Sequence, residues 1–213
     1  MQTELEAKWL DIDHDEFRKK LIQLGAKPVR PKTDMTRVVF DPPGCDSTYE
    51  WARVRDEGDR ITMSYKRTDN RGLTGTKEVC LVVDSFAVAV DFLLATGFRQ
   101  KAFQETRRET WELDGAEIDL DEWPWLPPFV EIETETETAM LKIATKLDLK
   151  MSNAMYGAAG FVYERYYAVS IDDVNAWPEI KFLDTPEWLE KLKRNQDSTD
   201  RKTHRADQTR ATS

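Results

Sequence analysis

Glu4-Leu5-Glu6-Ala7-Lys8 alternates charged with apolar side chains, and the alternation runs from Gln2 to Leu10. Two residues is the period of a strand. It sends Glu4, Glu6 and Lys8 to one face and Leu5, Ala7 and Trp9 to the other. Beyond this strand, Asp13 is placed to cap a helix, with Glu16 at the capping-box position. Phe17, Leu21 and Leu24 give that helix an apolar face, and Gly25 ends it. Pro28 and Pro31 read as connection.

Short strand-like runs follow at about 36–40, 49–55, 60–66 and 77–83. The turn sequences Asp41-Pro42-Pro43-Gly44, Glu57-Gly58-Asp59 and Asn70-Arg71-Gly72 separate them. Ser85 caps a second expected helix with Phe86, Val90, Leu93 and Leu94 inward, closed by Gly97. Strands are then expected at 105–113, 117–121 and 129–135, a third helix at about 137–147, and a further apolar segment reaching Tyr167.

The two halves resemble each other. In each, a strand leads to a helix ending in Gly25 or Gly97. An aromatic strand residue, Phe40 or Trp111, follows about 15 residues later, and two more strands come after it. Two βαβββ-like units can close into one barrel. The expected class is therefore α+β: a closed eight-stranded antiparallel β-barrel with helices packed outside. It occupies residues 1–184. Residues 185–213 form a charged C-terminal tail that is expected to be disordered, Asp197 to Ser213 being almost without apolar residues.

Composition narrows the chemistry. The 213 residues are 40% hydrophobic, with seven Trp and nine Phe, enough to build a well-buried core. The formal charge of −9 argues against nonspecific nucleic-acid binding. No run is long enough to span a membrane and no signal segment opens the chain, so a cytoplasmic location is the default. Cys45 and Cys80 are the only cysteines and His14 and His204 the only histidines, so thiolate and imidazole metal sites are excluded. Any metal here is held by carboxylates, which points to Mg²⁺, Mn²⁺ or Ca²⁺.

Strand parity then sorts the charges. Arg53 and Arg55 share a face, as do Thr62, Ser64 and Lys66. Arg108 lies with Thr106 and Thr110. Glu117, Asp119 and Asp121 share a face, and so do Glu131 and Glu133. A solvated sheet face produces the same alternation one strand at a time, but it usually mixes both signs. Here the bases concentrate in the first half and the acids in the second. Clustered carboxylates call for a cation and clustered arginines for an anion. The expected arrangement is a polyphosphate held between a cationic wall and a metal-binding acidic wall inside the barrel.

These residues, taken in order, resemble the CYTH superfamily, the triphosphate tunnel metalloenzymes. Glu4-Leu5-Glu6-Ala7-Lys8 is similar to its ExExK strand, Arg53-Val54-Arg55 to its RxR strand, and Met63-Ser64-Tyr65-Lys66 to its strand ending in lysine. Arg108 with Trp111, and Asp119-Leu120-Asp121 followed by Phe129-Val130-Glu131-Ile132-Glu133, resemble its closing strands. Ser152 with Tyr156 fits a looser downstream pattern. The resemblance covers residues 1–167 and implies a tunnel-like eight-stranded barrel.

It also implies roles. Glu4, Glu6, Asp119, Glu131 and Glu133 would hold one or two Mg²⁺ or Mn²⁺ ions. Lys8, Arg53, Arg55, Lys66 and Arg108 would hold the triphosphate. Glu131, Glu133 and Lys8 would serve catalysis, and Asp121 would shape the site. Departures are Cys80, where a second acid is usual, Arg37 and Val39, where Asp and Tyr are usual, and Lys150 as the one candidate for a late cation.

The expected activity is metal-dependent hydrolysis of a triphosphate: inorganic triphosphate, thiamine triphosphate or a nucleoside triphosphate. The alternatives are conversion of ATP to cyclic AMP and pyrophosphate, and noncatalytic triphosphate binding. The expected partner is a triphosphate-containing small molecule, with neither nucleic acid nor membrane, and a homodimer remains open. Trp123-Pro124-Trp125-Leu126-Pro127-Pro128 is expected to pack over the barrel mouth, with stacking on a ring of the substrate as the other reading.

Overall fold

The alternating segment forms strand β1, Gln2–Leu10. The structure is a computed structural model that describes residues 1–44, 49–70 and 72–194. After β1 come α1 (His14–Gln23), β2 (Lys27–Asp41), β3 (Glu50–Asp56), β4 (Ile61–Thr68), β5 (Thr76–Val83) and α2 (Phe86–Ala95). The second half continues with β6 (Arg99–Leu113), β7 (Ala116–Glu122), β8 (Phe129–Thr134) and α3 (Glu137–Lys146). A 3₁₀ turn at Met151–Asn153 leads to α4 (Gly160–Tyr166), α5 (Ile171–Asn175), β9 (Glu179–Ile180) and α6 (Glu187–Glu190).

Eight strands close a barrel in the order β2-β3-β4-β5-β1-β8-β7-β6, with β6 pairing back onto β2. Every pairing around the ring is antiparallel. Exchanging β1 with β5, β2 with β6, β3 with β7 and β4 with β8 maps this order onto its own reverse, so the two βαβββ units are related by a pseudo-two-fold. Closure gives every strand of the ring a partner on each side over part of its length.

The long strands depart from expectation. β2 spans 15 residues and contains Pro28 and Pro31, which read as connection. Its pairing with β3 begins only at Thr36, so the proline stretch meets β6 alone, with register shifts between Pro28 and Arg30 and between Arg30 and Thr33. Proline is tolerated where one strand edge is free or bulged. β6 likewise starts at Arg99, six residues before the expected Glu105. At α1, the Asp13 carboxylate accepts from the Asp15 and Glu16 amides. The Glu16 side chain accepts from Lys19 at 2.7 Å instead of completing a capping box.

Apolar side chains pack on the outside of the barrel. Trp9, Trp111, Ile118 and Ile132 lie under α1 and α3. Val38, Phe40 and Val54 lie under Ala89 and Leu93 of α2. Burying each large side chain contributes about 1.5–3 kcal/mol, and the helices thereby free the opposite strand faces to be polar.

A third cluster closes one end. Phe129, Tyr163, Val174, Ile180 and Leu189 pack with Trp123, Trp125 and Trp177. Where β5 parts from β1 after the Glu4–Thr76 pair, Met155 exchanges both backbone hydrogen bonds with Lys8, at 2.8 and 2.9 Å. The packed chain runs past Asp184, the expected end of the barrel domain, into the segment expected to be disordered, because α6 has an apolar residue to bury. Leu189 of α6 is fully buried, and Lys193 bridges Tyr167. Asp197 to Ser213, Cys45 and His204 lie outside the described residues. No helix among the described residues is long and apolar enough to cross a membrane.

Candidate functional site

Most of the charged side chains that strand parity assigned to one face converge on a cavity of about 210 Å³ inside the barrel. Glu4, Glu6, Lys8, Arg53, Arg55, Lys66, Arg108, Glu131 and Glu133 all line it. Asp119 sits behind this lining, buried, accepting from the Thr110 hydroxyl at 2.7 Å and pairing with Arg108 at 2.5 Å. Asp121 does reach the lumen and takes Arg108 in a two-point pair at 2.7 and 2.6 Å.

The two charge signs interleave instead of forming separate walls. The Lys8 ammonium lies 2.9 Å from Glu6 and 2.9 Å from Glu131. Lys66 lies 2.7 Å from Glu4 and 3.5 Å from Glu78. Register is the cause: β1 sits between β5 and β8, so Lys8 faces Glu131 and Glu6 faces Glu133. Parity assigns a face, but only the neighbouring strand decides which charge meets which.

Three polar residues that sequence reading left unassigned complete the site. Arg37 of β2 lines the lumen, is buried, donates to Thr106 at 2.7 Å and lies 4.6 Å over the Trp123 ring. It was visible only as a departure from the family pattern, although Val38 and Phe40 on the opposite face mark its parity. Glu78 of β5 lines the lumen beside Lys66 and Arg53. Glu57 is fully buried in what reads as a turn. It accepts from Arg55 at 2.8 Å, Arg60 at 2.9 Å, Thr62 at 2.9 Å and Arg30 at 3.2 Å. Lys150 is not among the lining residues; its carbonyl accepts from the outward-facing Trp9 indole.

The electrostatics favour anions at one place and cations at another. Burial and the charges of Arg53, Arg55 and Arg108 push the Arg37 guanidinium well down. Burial, Arg53 and Arg108 bring Arg55 to about 10. The Nε atoms of Arg37 and Arg53 are buried without a hydrogen-bond partner. Four clustered guanidiniums with two unsatisfied donors are stabilised by an oxyanion. Against its burial, Lys8 and Arg108 hold Glu131 well below the usual carboxylate range. Glu133 is pushed up to about 7 by desolvation in the lumen and then by Glu131 and Glu6. Burial takes Glu4 up to about 8 while Glu78, its hydrogen-bonded neighbour, is held near 2. The two act as a coupled pair sharing Lys66.

Register places Glu6 and Glu117 on either side of Glu133. Three carboxylates in a row, with the middle one pushed toward its neutral form, are an all-oxygen donor set suited to a hard divalent cation. Among the described residues, no three acidic, histidine or cysteine side chains converge tightly enough to hold an ion as they stand. Lys8, Lys66 and Arg108 occupy the carboxylates instead. Of the remaining candidates, Cys80 is exposed with its thiol pushed up by burial of the sulfur and by Glu78, which suits an inert residue. His14 opens α1 and lies 3.0 Å from the Phe129 carbonyl.

A closed antiparallel barrel of two βαβββ units, with a lumen of interleaved carboxylates and bases, defines a tunnel fold. The chain belongs to the CYTH domain family, whose model matches residues 2–167. Solved structures agree at the level of the fold. A Pyrococcus horikoshii OT3 protein matches at 21% identity and TM-score 0.61, over 73% of this chain and 96% of its own. A candidate adenylate cyclase of Vibrio parahaemolyticus matches at 15% identity and TM-score 0.64, over 76% and 98%. A candidate adenylyl cyclase of Hippeastrum, described as having a dominant triphosphatase activity, matches at 15% and TM-score 0.50, over 76% and 95%. No curated protein matches the sequence.

Proposed function

We propose that the protein is a divalent-metal-dependent enzyme that hydrolyses a triphosphate within the barrel lumen. The observation that carries this reading is the cluster of Arg37, Arg53, Arg55 and Arg108, two of whose buried Nε donors lack partners, lining the same cavity as the carboxylate row Glu6, Glu133 and Glu117. The arginines and Lys66 bind the phosphate oxygens. Glu6, Glu131 and Glu133, with Glu4 and Asp119 beside them, are the residues that would hold Mg²⁺ or Mn²⁺. When bound, the metal supplies charge neutralisation at the phosphoryl oxygens.

In hydrolysis, water oxygen attacks the terminal phosphorus and the bond to the bridging oxygen breaks, leaving orthophosphate and a diphosphate product. Glu131 or Glu133 orients that water and takes its proton. Lys8, held between Glu6 and Glu131, neutralises charge where it develops. The tunnel fold shared with the Hippeastrum protein, described as mainly a triphosphatase, supports hydrolysis. The second reading, cyclisation of ATP, draws on the fold shared with the Vibrio parahaemolyticus protein, described as a candidate adenylate cyclase.

A substrate panel with Mg²⁺ and Mn²⁺ separates the readings. Inorganic tripolyphosphate, thiamine triphosphate and ATP are compared while resolving orthophosphate, diphosphate and cyclic AMP. Orthophosphate release is expected. Cyclic AMP with diphosphate would overturn hydrolysis in favour of cyclisation, and binding without turnover would reduce the protein to a triphosphate binder.

A further inference from the structure

The most apolar stretch of the chain lies on its outside. Residues 79–95 read VCLVVDSFAVAVDFLLA, with Asp84 and Asp91 as the only charges. They form β5 from Val79 onward and the whole of α2. α2 buries Ala89 and Leu93, yet Val88 is 66% exposed and Phe92 57%, and Leu94 is exposed as well. A helix that is apolar on every side is ordinarily buried on every side.

The pseudo-two-fold shows what is missing beside it. In the second half, α3 follows β8 and packs Met140, Ile143 and Ala144 into one cluster with Ile118 of β7, Ile132 of β8 and Trp9 of β1. The two-fold carries β7, β8 and β1 onto β3, β4 and β5. Among the described residues, no helix lies between β4 and β5. The outward side chains there are Met63 and Tyr65 of β4, opposite Leu81 and Val79 of β5. Met63 and Tyr65 reach the cluster under α2, while Leu81 and Val79 are exposed. A bare sheet face thus adjoins a bare helix ridge.

The size and charge of this surface select its occupant. Its apolar side chains leave on the order of 700 Å² open on each copy, more than a monomer usually exposes in one patch and close to the roughly 800 Å² that each partner gives to a standard interface. A lipid surface is disfavoured: α2 carries no base, and Asp84 and Asp91 bring negative charge. Arg67 and Lys77, at the end of the sheet face, are both paired with Asp69 at 2.8 Å. Residues 195–213 hold almost no apolar side chain to lay on the patch. A second copy brings both complements at once, a ridge for the sheet face and a sheet face for the ridge, as a two-fold contact requires.

We propose that the chain forms a two-fold homodimer through this face, with α2 of each copy lying over β4 and β5 of the other, where α3 lies in the second half of the barrel. Val88 and Phe92 pack against Val79 and Leu81 of the second copy. The contact uses the outer strand faces, opposite Lys66 and Glu78 in the lumen, so each copy keeps a complete site. Each chain carries a formal charge of −9, and salt that screens this repulsion tightens an apolar contact.

Sedimentation equilibrium of the full chain from about 1 to 200 µM tests the interface. Dimer should dominate at the top of that range, with a dissociation constant that falls as NaCl rises from about 50 to 500 mM. Phe92→Lys and Leu81→Glu should each weaken self-association about tenfold or more while circular dichroism stays native. Mixed in equal amounts, the two variants should recover dimer, because one contact then joins the two introduced charges and the other keeps Phe92 against Leu81. Val79→Glu replaces Leu81→Glu if the latter melts early. A wild-type chain still monomeric at about 200 µM, including one that instead binds phosphatidylcholine vesicles, would overturn the homodimer. So would a dimer that salt dissociates, one that either substitution leaves as tight as before, or a mixture no more dimeric than its separate variants.

Discussion

Replacing Glu57 with Gln tests whether the arginine side of the lumen is held from behind by one buried carboxylate. Glu57 is fully buried and accepts from Arg30, Arg55, Arg60 and Thr62. Burial alone would raise its pKa. Arg55, Arg60 and Thr62 outweigh burial and hold the carboxyl at about 2, against an ordinary 4.5. A depressed carboxylate contributes stability that is complete above its unfolded pKa and is lost as pH falls toward its folded pKa. The window here runs from 4.5 down to about 2. A shift of this size corresponds to about 3 kcal/mol, and the half-exposed Arg60 trims it to about 2–3 kcal/mol through solvent screening. For a chain of this size that is a fall in melting temperature of about 5–10 °C at pH 7. Urea melts of wild type and Glu57→Gln, from pH 7 to pH 2.5, read this directly. The gap between the two should be widest at neutral pH and shrink below 4.5. A gap under about 1 kcal/mol at pH 7, within the range of ordinary surface changes, or one that stays constant into acid, would refute the reasoning.

Glu6→Gln and Glu131→Gln should each abolish metal-dependent turnover while circular dichroism remains native; near-normal rates in either would remove that residue from the metal set. Arg53→Gln should weaken tripolyphosphate binding by about ten- to a hundredfold, the loss of a charge-assisted hydrogen bond worth about 1.5–3 kcal/mol, and an unchanged dissociation constant would take Arg53 out of the clamp. Gly160→Ala would put a Cβ 2.2 Å from Ile171 Cδ1. Such overpacking costs about 1–3 kcal/mol, and it should be felt first where α4 meets α5, as faster amide exchange over residues 168–180. Unaltered exchange there would show that the contact gives way freely.

Much of the barrel was legible because its two faces are chemically opposite. Glu4, Glu6 and Lys8 alternate with Leu5, Ala7 and Trp9, and the structure puts the first set in the lumen and Ala7 and Trp9 in the outer core. The repeat was legible through Gly25 and Gly97, which end α1 and α2 with φ of +79° and +93°, values that glycine adopts without strain. The full length of β2 was hidden by Pro28 and Pro31, whose missing amides matter little where only β6 lies alongside. Glu57 was hidden by its Glu57-Gly58-Asp59 context, since a buried carboxylate and a solvated turn residue look alike in sequence. The segment carrying α5, β9 and α6 was hidden because these elements are short and separated by charged residues, so no periodicity accumulates. Pairing across strands was beyond reach for a general reason: parity is a property of one strand, whereas the ion pairs of Lys8 depend on which strand lies next to β1.

The seam that closes the barrel also governs when the protein can exist at all. β2 and β6 pair from Lys27 with Glu112 through Asp41 with Arg99, and β1 must await β8, whose Glu131 registers with Lys8. These partners are distant in the chain, so a large loop-closure entropy falls on the folding transition state before the contacts repay it. A ribosome-bound chain that stops before Phe129 lacks the strand that completes the ring, and Lys8 has Glu6 but not Glu131 to meet. The lumen is therefore complete only once β8 is in place. Truncation between the two halves is expected to leave edge strands open to pairing with other chains, not a half-functional site.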